Sequence, residues 1–431
     1  MRYLYTICLA LLLPLLWLML CWRYRGTDYN SRWRERFGVV TADTNLPFLW
    51  LHTASVGEVV AARKLIDRLI NDYPQYRLLI TTTTPSGAKQ VNDLFASKVR
   101  HCYLPYDLPY CIARFLKTFR PVALLIMETE MWPNMLATCY QFHVPSLLIN
   151  ARMSERSYSA YRRVACLSES MFSQLTAVVA QTTADAERLQ QLGADNITVS
   201  GNIKIDMEVT ADCRQQAKIL AARWSNQGKR PVFIAASTHR GEDEQLLSVL
   251  QMLKRSQPQL LLVLVPRHPQ RFDKVEQLCL QRGYRVCRHS KGAVDEDTDI
   301  IIGDTIGELM TMYGASDIAF VGGSLIDNGG HNILEPAAWG LPIVTGPSVY
   351  NFTAIVDGLT AVEGICVVED NQQLAEKLTL LLNDSAKRHQ MGLAAHQYVA
   401  SNKGALQKLF CSIQSILDTI PKSPQKKYND G

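Results

Sequence analysis

The chain has 431 residues, 47% hydrophobic and 20% charged, the balance of a globular protein with room for two or three domains. Lys and Arg (45) exceed Asp and Glu (40) by only +5, too little over this length to argue for a nucleic-acid partner. The 11 cysteines are scattered without a CxxC pair, which excludes a disulfide scaffold and a zinc ribbon and points to buried thiols in a reducing compartment.

From Tyr3 to Trp22 the chain carries no charge (YLYTICLALLLPLLWLMLCW). Twenty helical residues rise about 30 Å, the thickness of a bilayer's hydrocarbon core. The run ends in bulky Cys21-Trp22 and Arg23, without the small-residue site of a cleaved signal peptide. The pattern predicts a single transmembrane anchor over residues 1–22; a hydrophobic core helix is the other reading. Arg23 to Arg36 holds five arginines, which by the positive-inside rule places that flank in the cytoplasm. The same arginines are expected to meet anionic headgroups, at roughly 1 kcal/mol each. No second apolar run approaches this length, which excludes a multispan protein.

Beyond Pro47, strand and helix alternate. FLWLHTA, RLLITTTT, VALLIMETE, SLLINAR and AVVAQT read as strands buried on both faces, with an amphipathic helix from Val56. The first domain closes near Asn202–Asp206, so it spans 23–206. Residues 207–228 read as a polar helical linker. The rhythm restarts with PVFIAAST, QLLLVLVPRH, YRVCR, DIIIGD, IAFVGGS and PIVTG, giving a second domain over 229–418 and a polar, disordered tail over 419–431. Two doubly wound α/β domains of this size imply two Rossmann-like folds facing a cleft, with ligands beyond the carboxyl ends of the strands.

Six stretches there carry chemistry. Glu58, three residues after Ser55, is either a capping-box carboxylate or a general base. Glu128 and Glu130 share a face if their strand runs that far; they are either solvated strand-end charges or a site. Lys204 in GNIKID is a solvated lysine or one aimed at a phosphate or sugar carboxylate. Arg267, between two prolines, has the fork that suits a phosphate; His268 beside it is weak evidence alone. Ile306-Gly307-Glu308 lies where a strand meets a helix. Asn332 to Glu335 follows Gly322, Gly323, Gly329 and Gly330, a glycine-rich approach to a helix start where anions bind. No Walker lysine motif, GxGxxG or HExxH occurs in the body.

RWRERFG, LHTASVGEV, TTTTPSG, METEMWPN, NARMSERS, GNIKID, VPRHPQRF, GDTIGEL and FVGGSLIDNGGHNILEPAAWGLPIVTGP stand in one order over nearly the whole chain. Together they resemble the 3-deoxy-D-manno-octulosonic acid (Kdo) transferases, the lipid A glycosyltransferases of Gram-negative bacteria. The resemblance implies an α/β GT-B fold with an N-terminal acceptor domain and a C-terminal CMP-Kdo domain. It implies inverting transfer of Kdo from CMP-Kdo to a lipid A precursor (lipid IVA) in lipopolysaccharide biosynthesis, with no metal, cofactor or nucleic acid. By motif, Glu58 corresponds to the family's general base, and Glu128 and Lys204 to positions supporting the transition state. Arg267, His268, Ile306, Gly307, Glu308, Asn332, Ile333, Leu334 and Glu335 correspond to the CMP site. METEM stands where many members have METEL, and GNIKID where GNIKFD is common; both changes are apolar for apolar. The expected place is the inner membrane, with the body on the cytoplasmic side against anionic lipids. The alternative is another GT-B transferase that uses a UDP-sugar and a lipid acceptor.

Overall fold

A computed structural model describes residues 1–44, 46–292 and 294–420; the expected tail from 421 onward lies outside the described residues. The chain forms two units, one of Met1–Asp206 joined by the chain from Gly404, the other of Met207–Lys403.

In the first unit, seven parallel strands run in the order β3-β2-β1-β4-β5-β6-β7. They are β1 (Phe48–His52), β2 (Arg77–Thr82), β3 (Arg100–Tyr103), β4 (Pro121–Met127), β5 (Ser146–Ala151), β6 (Ala177–Ala180) and β7 (Ile197–Val199). β1 and β4 are buried along their whole length, so their Val/Leu/Ile runs meet helices on both faces. One face packs Trp50, Leu124 and Leu148 with Phe115 and Met135; the other packs Leu51, Leu125 and Ile149 with Leu65 and Leu69. The order reverses between β1 and β4, the topological point where open α/β sheets bind ligands.

The second unit repeats the plan with β8 (Val232–Thr238), β9 (Leu261–Pro266), β10 (Val286–Arg288), β11 (Ile300–Ile302), β12 (Ile318–Val321), β13 (Ile343–Thr345) and β14 (Ile365–Val367). Its order is β10-β11-β9-β8-β12-β13-β14, reversing between β8 and β12.

Two boundaries differ from those expected. Residues 207–228 are not a free linker: the helix Ala211–Trp224 buries Leu220 and Trp224 against Val232, Ile234 and Val263, so it belongs to the second unit. The second unit also stops short of 418. The helix Ala405–Leu417 returns to the first unit, where Leu409, Phe410 and Ile413 join Leu65 and Ile66 in the core. Asp206 fixes that return, its carboxylate accepting the N–H groups of Gly404 (3.1 Å) and Leu406 (2.6 Å).

The apolar N-terminal segment is one helix, Arg2–Arg23, with Pro14 inside it. It is long and apolar enough to cross a membrane. Of the five arginines at its foot, two are committed to the protein. Arg32 pairs with Glu35 at 2.8 Å and donates to the His101 carbonyl at 3.1 Å, while Arg36 donates to the Leu104 carbonyl and lies 4.6 Å from the Tyr106 ring centroid. The expectation that all of them meet headgroups is corrected accordingly.

Candidate active site

In the first unit, Ser55 stops β1 and caps the helix Val56–Ala61. Glu58 folds back from the first turn: Oε2 accepts the Ala54 N–H at 2.8 Å and Oε1 accepts the Ser55 hydroxyl at 3.0 Å. Ser55 caps the helix, but Glu58 answers with the Ala54 N–H and not the Ser55 N–H, so the expected capping box is half made and does not exhaust the side chain. A carboxylate has about four acceptor positions, and among the described residues two are taken. Burial (8% exposed) pushes Glu58 up to about 7, and the charges of Glu128 and Glu130 push the same way; the Ala54 and Ser55 hydrogen bonds oppose the rise.

β4 ends at Met127, so Glu128 and Glu130 are not strand residues on one face. Glu128 instead takes a left-handed turn (φ 57°), and its carboxylate meets Lys204 Nζ at 2.7 Å. Burial raises the pKa of Glu130 as well. Lys204 reaches Glu128 because its short helical turn is held from two sides. Asn150 Oδ1 accepts the Ile203 N–H at 3.1 Å, and Asn202 Oδ1 accepts the Lys204 N–H at 2.9 Å. Asn150 itself has φ 49° and lies at zero exposure within β5. Three acids and one lysine thus converge at the carboxyl ends of β1 and β4. Glu130 joins the set from the motif already singled out. Asn150 opens the NARMSERS stretch but was given no role from sequence, since a lone Asn in an apolar strand looks like a tolerated polar residue.

In the second unit, the stretches identified from sequence follow the carboxyl ends of β9, β11 and β12. Arg267 leaves β9 with its N–H bonded to the Thr238 carbonyl at 3.0 Å and its side chain exposed. Ile306 is 82% exposed, and Glu308 faces His289 at 3.0 Å. β9 and β11 are paired at Leu264↔Ile302, so the loops carrying Arg267 and Ile306-Gly307-Glu308 are neighbours. Asn332 Nδ2 donates to Glu335 Oε1 at 3.0 Å, and its Oδ1 accepts the Leu334 N–H at 3.1 Å, opening the helix Leu334–Trp339. Burial raises the pKa of Glu335, while Asn332 and Arg267 oppose the rise. Ile333 and Leu334 are each 1% exposed, so their side chains serve the core and they offer a ligand main chain at most.

Around Arg267, His268 and two residues of the glycine-rich stretch, Asn328 and His331, gather with His239, which lay outside the stretches singled out from sequence. The rings of His239 and His331 are parallel, 5.0 Å between centroids, and meet edge to edge with 2.7 Å between their Nε2 atoms, and Asn328 Nδ2 lies 3.1 Å from His239 Nε2. His268 sits edge-on to His239 at 5.3 Å. Burial pushes His331 down to about 4, and the neighbouring His239, Arg267 and His268 push it the same way; burial lowers His239 too. Burial thus favours the neutral form of both rings, and an N–H···N hydrogen bond between them uses one Nε2 proton. The glycines before it serve the protein as much as any ligand: a Cβ on Gly323 (φ 71°) would stand 2.8 Å from His331 Cδ2. Glu242, at zero exposure, holds this loop by accepting the N–H groups of His239 (2.9 Å), Gly323 (2.7 Å), Ser324 (3.0 Å) and Leu325 (3.1 Å).

Two doubly wound parallel sheets with sites at their strand ends are the plan of the GT-B fold. Acinetobacter baumannii MurG shares this fold at a TM-score of 0.57 and 11% identity, over 85% of this chain and 99% of that one. A glycosyltransferase from Rickettsia africae does so at 0.53 and 15%, over 87% and 100%. Residues 31–207 match the family described as 3-deoxy-D-manno-octulosonic-acid transferase (kdotransferase), and residues 223–398 match glycosyl transferases group 1. A 3-deoxy-D-manno-octulosonic acid transferase of Haemophilus influenzae is 38% identical over 427 residues, 97% of this chain and 99% of that one. That of Bordetella pertussis is 33% identical over 96% and 99%. The chain belongs to the 3-deoxy-D-manno-octulosonic acid transferase family.

Proposed function

We propose that this enzyme transfers Kdo from CMP-Kdo to a lipid A precursor, with inversion and without a metal, at the cytoplasmic face of the inner membrane. The observation that carries the reading is Glu58: a buried carboxylate with acceptor positions to spare, set beside the Lys204–Glu128 ion pair. Inversion needs one base that removes the proton from the acceptor hydroxyl as it attacks. Burial makes Glu58 more basic than an exposed glutamate, while leaving it partly ionised at neutral pH. Lys204, held by Glu128, supplies positive charge toward the acidic sugar. Arg267 and main-chain N–H groups at Ile306–Glu308 and Asn332–Leu334 hold the CMP, and Arg267 balances the phosphate that departs. Glu335, oriented by Asn332, is placed to accept hydroxyls of the nucleoside ribose. These protein cations take the part that a divalent ion plays elsewhere. The apolar N-terminal helix and the arginines at its foot keep the enzyme where a phosphorylated lipid acceptor resides.

The test is to incubate purified protein with CMP-Kdo and a tetraacylated lipid A precursor and to weigh the product. A mass increase by Kdo units, inhibited by CMP and not by UDP, is expected. Inhibition by UDP, with transfer from a UDP-sugar, would establish the other GT-B reading.

A further inference from the structure

The N-terminal helix is apolar on every side, yet its sides are not equivalent. Thr6, Leu13, Trp17, Leu20 and Tyr24 form one stripe at helical spacing, and each meets the first unit. Thr6 Oγ1 lies 2.9 Å from Asn134 Nδ2, on the helix Pro133–Gln141. Leu13 is 8% exposed. Trp17 packs edge-on to Trp33 at 6.1 Å, and Leu20 and Tyr24 pack on the cluster of Tyr29, Ala88 and Tyr103. Asn134 is in turn fixed to Asp107, whose carboxylate accepts the N–H groups of Asn134 (3.0 Å) and Met135 (2.7 Å). The opposite stripe of Leu4, Ile7, Leu11, Leu15, Leu18 and Trp22 is open, with Leu11 at 77% and Trp22 at 78% exposure.

The docked stripe runs from Thr6 to Tyr24, about 27 Å of helix at 1.5 Å per residue. That is nearly the whole hydrocarbon thickness, about 30 Å. Were the helix to span the bilayer with Tyr24 at one headgroup layer, Thr6 would reach the other. Asn134, Asp107 and the irregular chain between Tyr103 and Pro109 would have to follow it across. That segment is buried in the protein, but the helix it leads into, Pro109–Phe119, exposes Arg114 and Lys117, and carrying such charges into hydrocarbon is costly. A helix in the membrane plane meets no such conflict. One stripe stays on the protein, the open stripe enters the acyl boundary, and Arg2, Arg23 and Arg25 at the two ends reach headgroups.

We infer that the helix Arg2–Arg23 lies in the membrane interface along the first unit, with its open leucine stripe and Trp22 in the bilayer of anionic lipids, so that both chain ends stay on one side. This rests on the membrane attachment proposed above. It also explains why composition suggests a span: a helix with protein on one face and lipid on the other is apolar all round.

The test uses the full chain with an epitope tag at each end, in inner membranes that retain Kdo transfer. Protease is added to intact spheroplasts and to inside-out vesicles. Both tags are expected to survive in spheroplasts and to be lost together in inside-out vesicles. Digestion of the N-terminal tag in spheroplasts, with the C-terminal tag spared, would overturn the inference while leaving membrane attachment intact. Recovery of active protein free of membranes would overturn the attachment and the inference together. A second measurement addresses the docking. Leu13→Glu should lower the thermal midpoint of the detergent-solubilised protein and Leu11→Glu should leave it unchanged; equal midpoints for both would overturn it.

Discussion

The two units place a glutamate at equivalent points, just after the first strand of each sheet, and use it in opposite ways. Glu242 accepts four main-chain N–H groups, which fills a carboxylate, and it is fully buried. It clamps the glycine loop to the strand end. Glu58 accepts one N–H and one hydroxyl, keeps acceptor positions free, and has carboxylates rather than donors as its further neighbours. The same residue type on the same scaffold is structural where its lone pairs are saturated and reactive where they are not. The surroundings follow suit: acids and a lysine at the first site, an arginine, imidazoles and main-chain donors at the second. Those are the needs of proton removal and of anion binding.

The sharpest way to break this contrast is to make one substitution at both places. Glu58→Gln should slow transfer at least about a hundredfold, with CMP binding intact, because the amide cannot take the proton. Glu242→Gln should instead lower the thermal midpoint. The amide has one acceptor oxygen for four buried donors, and each donor left unpaired costs about 1–3 kcal/mol. Single-turnover transfer and thermal melts on both variants decide it; similar behaviour of the two would abolish the distinction. Arg267→Ala comes next, with CMP affinity down about 10–100-fold by calorimetry, since a charged hydrogen bond contributes about 1.5–3 kcal/mol.

Two smaller effects sharpen the assignment of Glu58. Its base form is the ionised one, so kcat/KM should rise with pH through about 7. Glu128→Gln removes a negative charge that disfavours ionisation, so the rising limb should move to lower pH even as the maximal rate falls. A limb that stays put would detach Glu58 from the rate. The same raised pKa sets a stability slope. The native state holds its proton more tightly than the unfolded chain, so Glu58's contribution is full below the ordinary glutamate range and is lost as pH rises through about 7. Glu58→Gln should flatten the melting temperature against pH over that window. Smallest of all, EDTA should leave the transfer rate unchanged; loss that magnesium restores would refute the metal-free mechanism.

How much was legible in the chain follows from where each element sits. The strands read from sequence are mostly central ones, buried on both faces, where continuous Val/Ile/Leu runs are required. The three that escaped, β3, β7 and β14, are edge strands of three or four residues held by one neighbour, too short for a run to stand out. The helix start at Ser55 was legible because capping is local chemistry. The extension of β4 to Glu130 was misjudged because an apolar run does not mark where the backbone turns left-handed.

By itself the sequence determined the two-sheet α/β plan, the stretches that carry the chemistry, and an N-terminal helix too apolar for water. Each of these is a pattern within about 20 residues, and local periodicity reports burial directly. Only the tertiary structure decided which charges meet. Lys204 finds Glu128 across 76 residues, His239 finds His331 across 92, and Glu242 collects donors more than 80 residues away. It also decided that the helix Ala405–Leu417 returns to the first unit and that one stripe of the N-terminal helix is covered. Such partners are chosen by chain topology, which brings strand ends together regardless of their separation in sequence, and an ion pair or a docked face leaves no periodic trace in either segment.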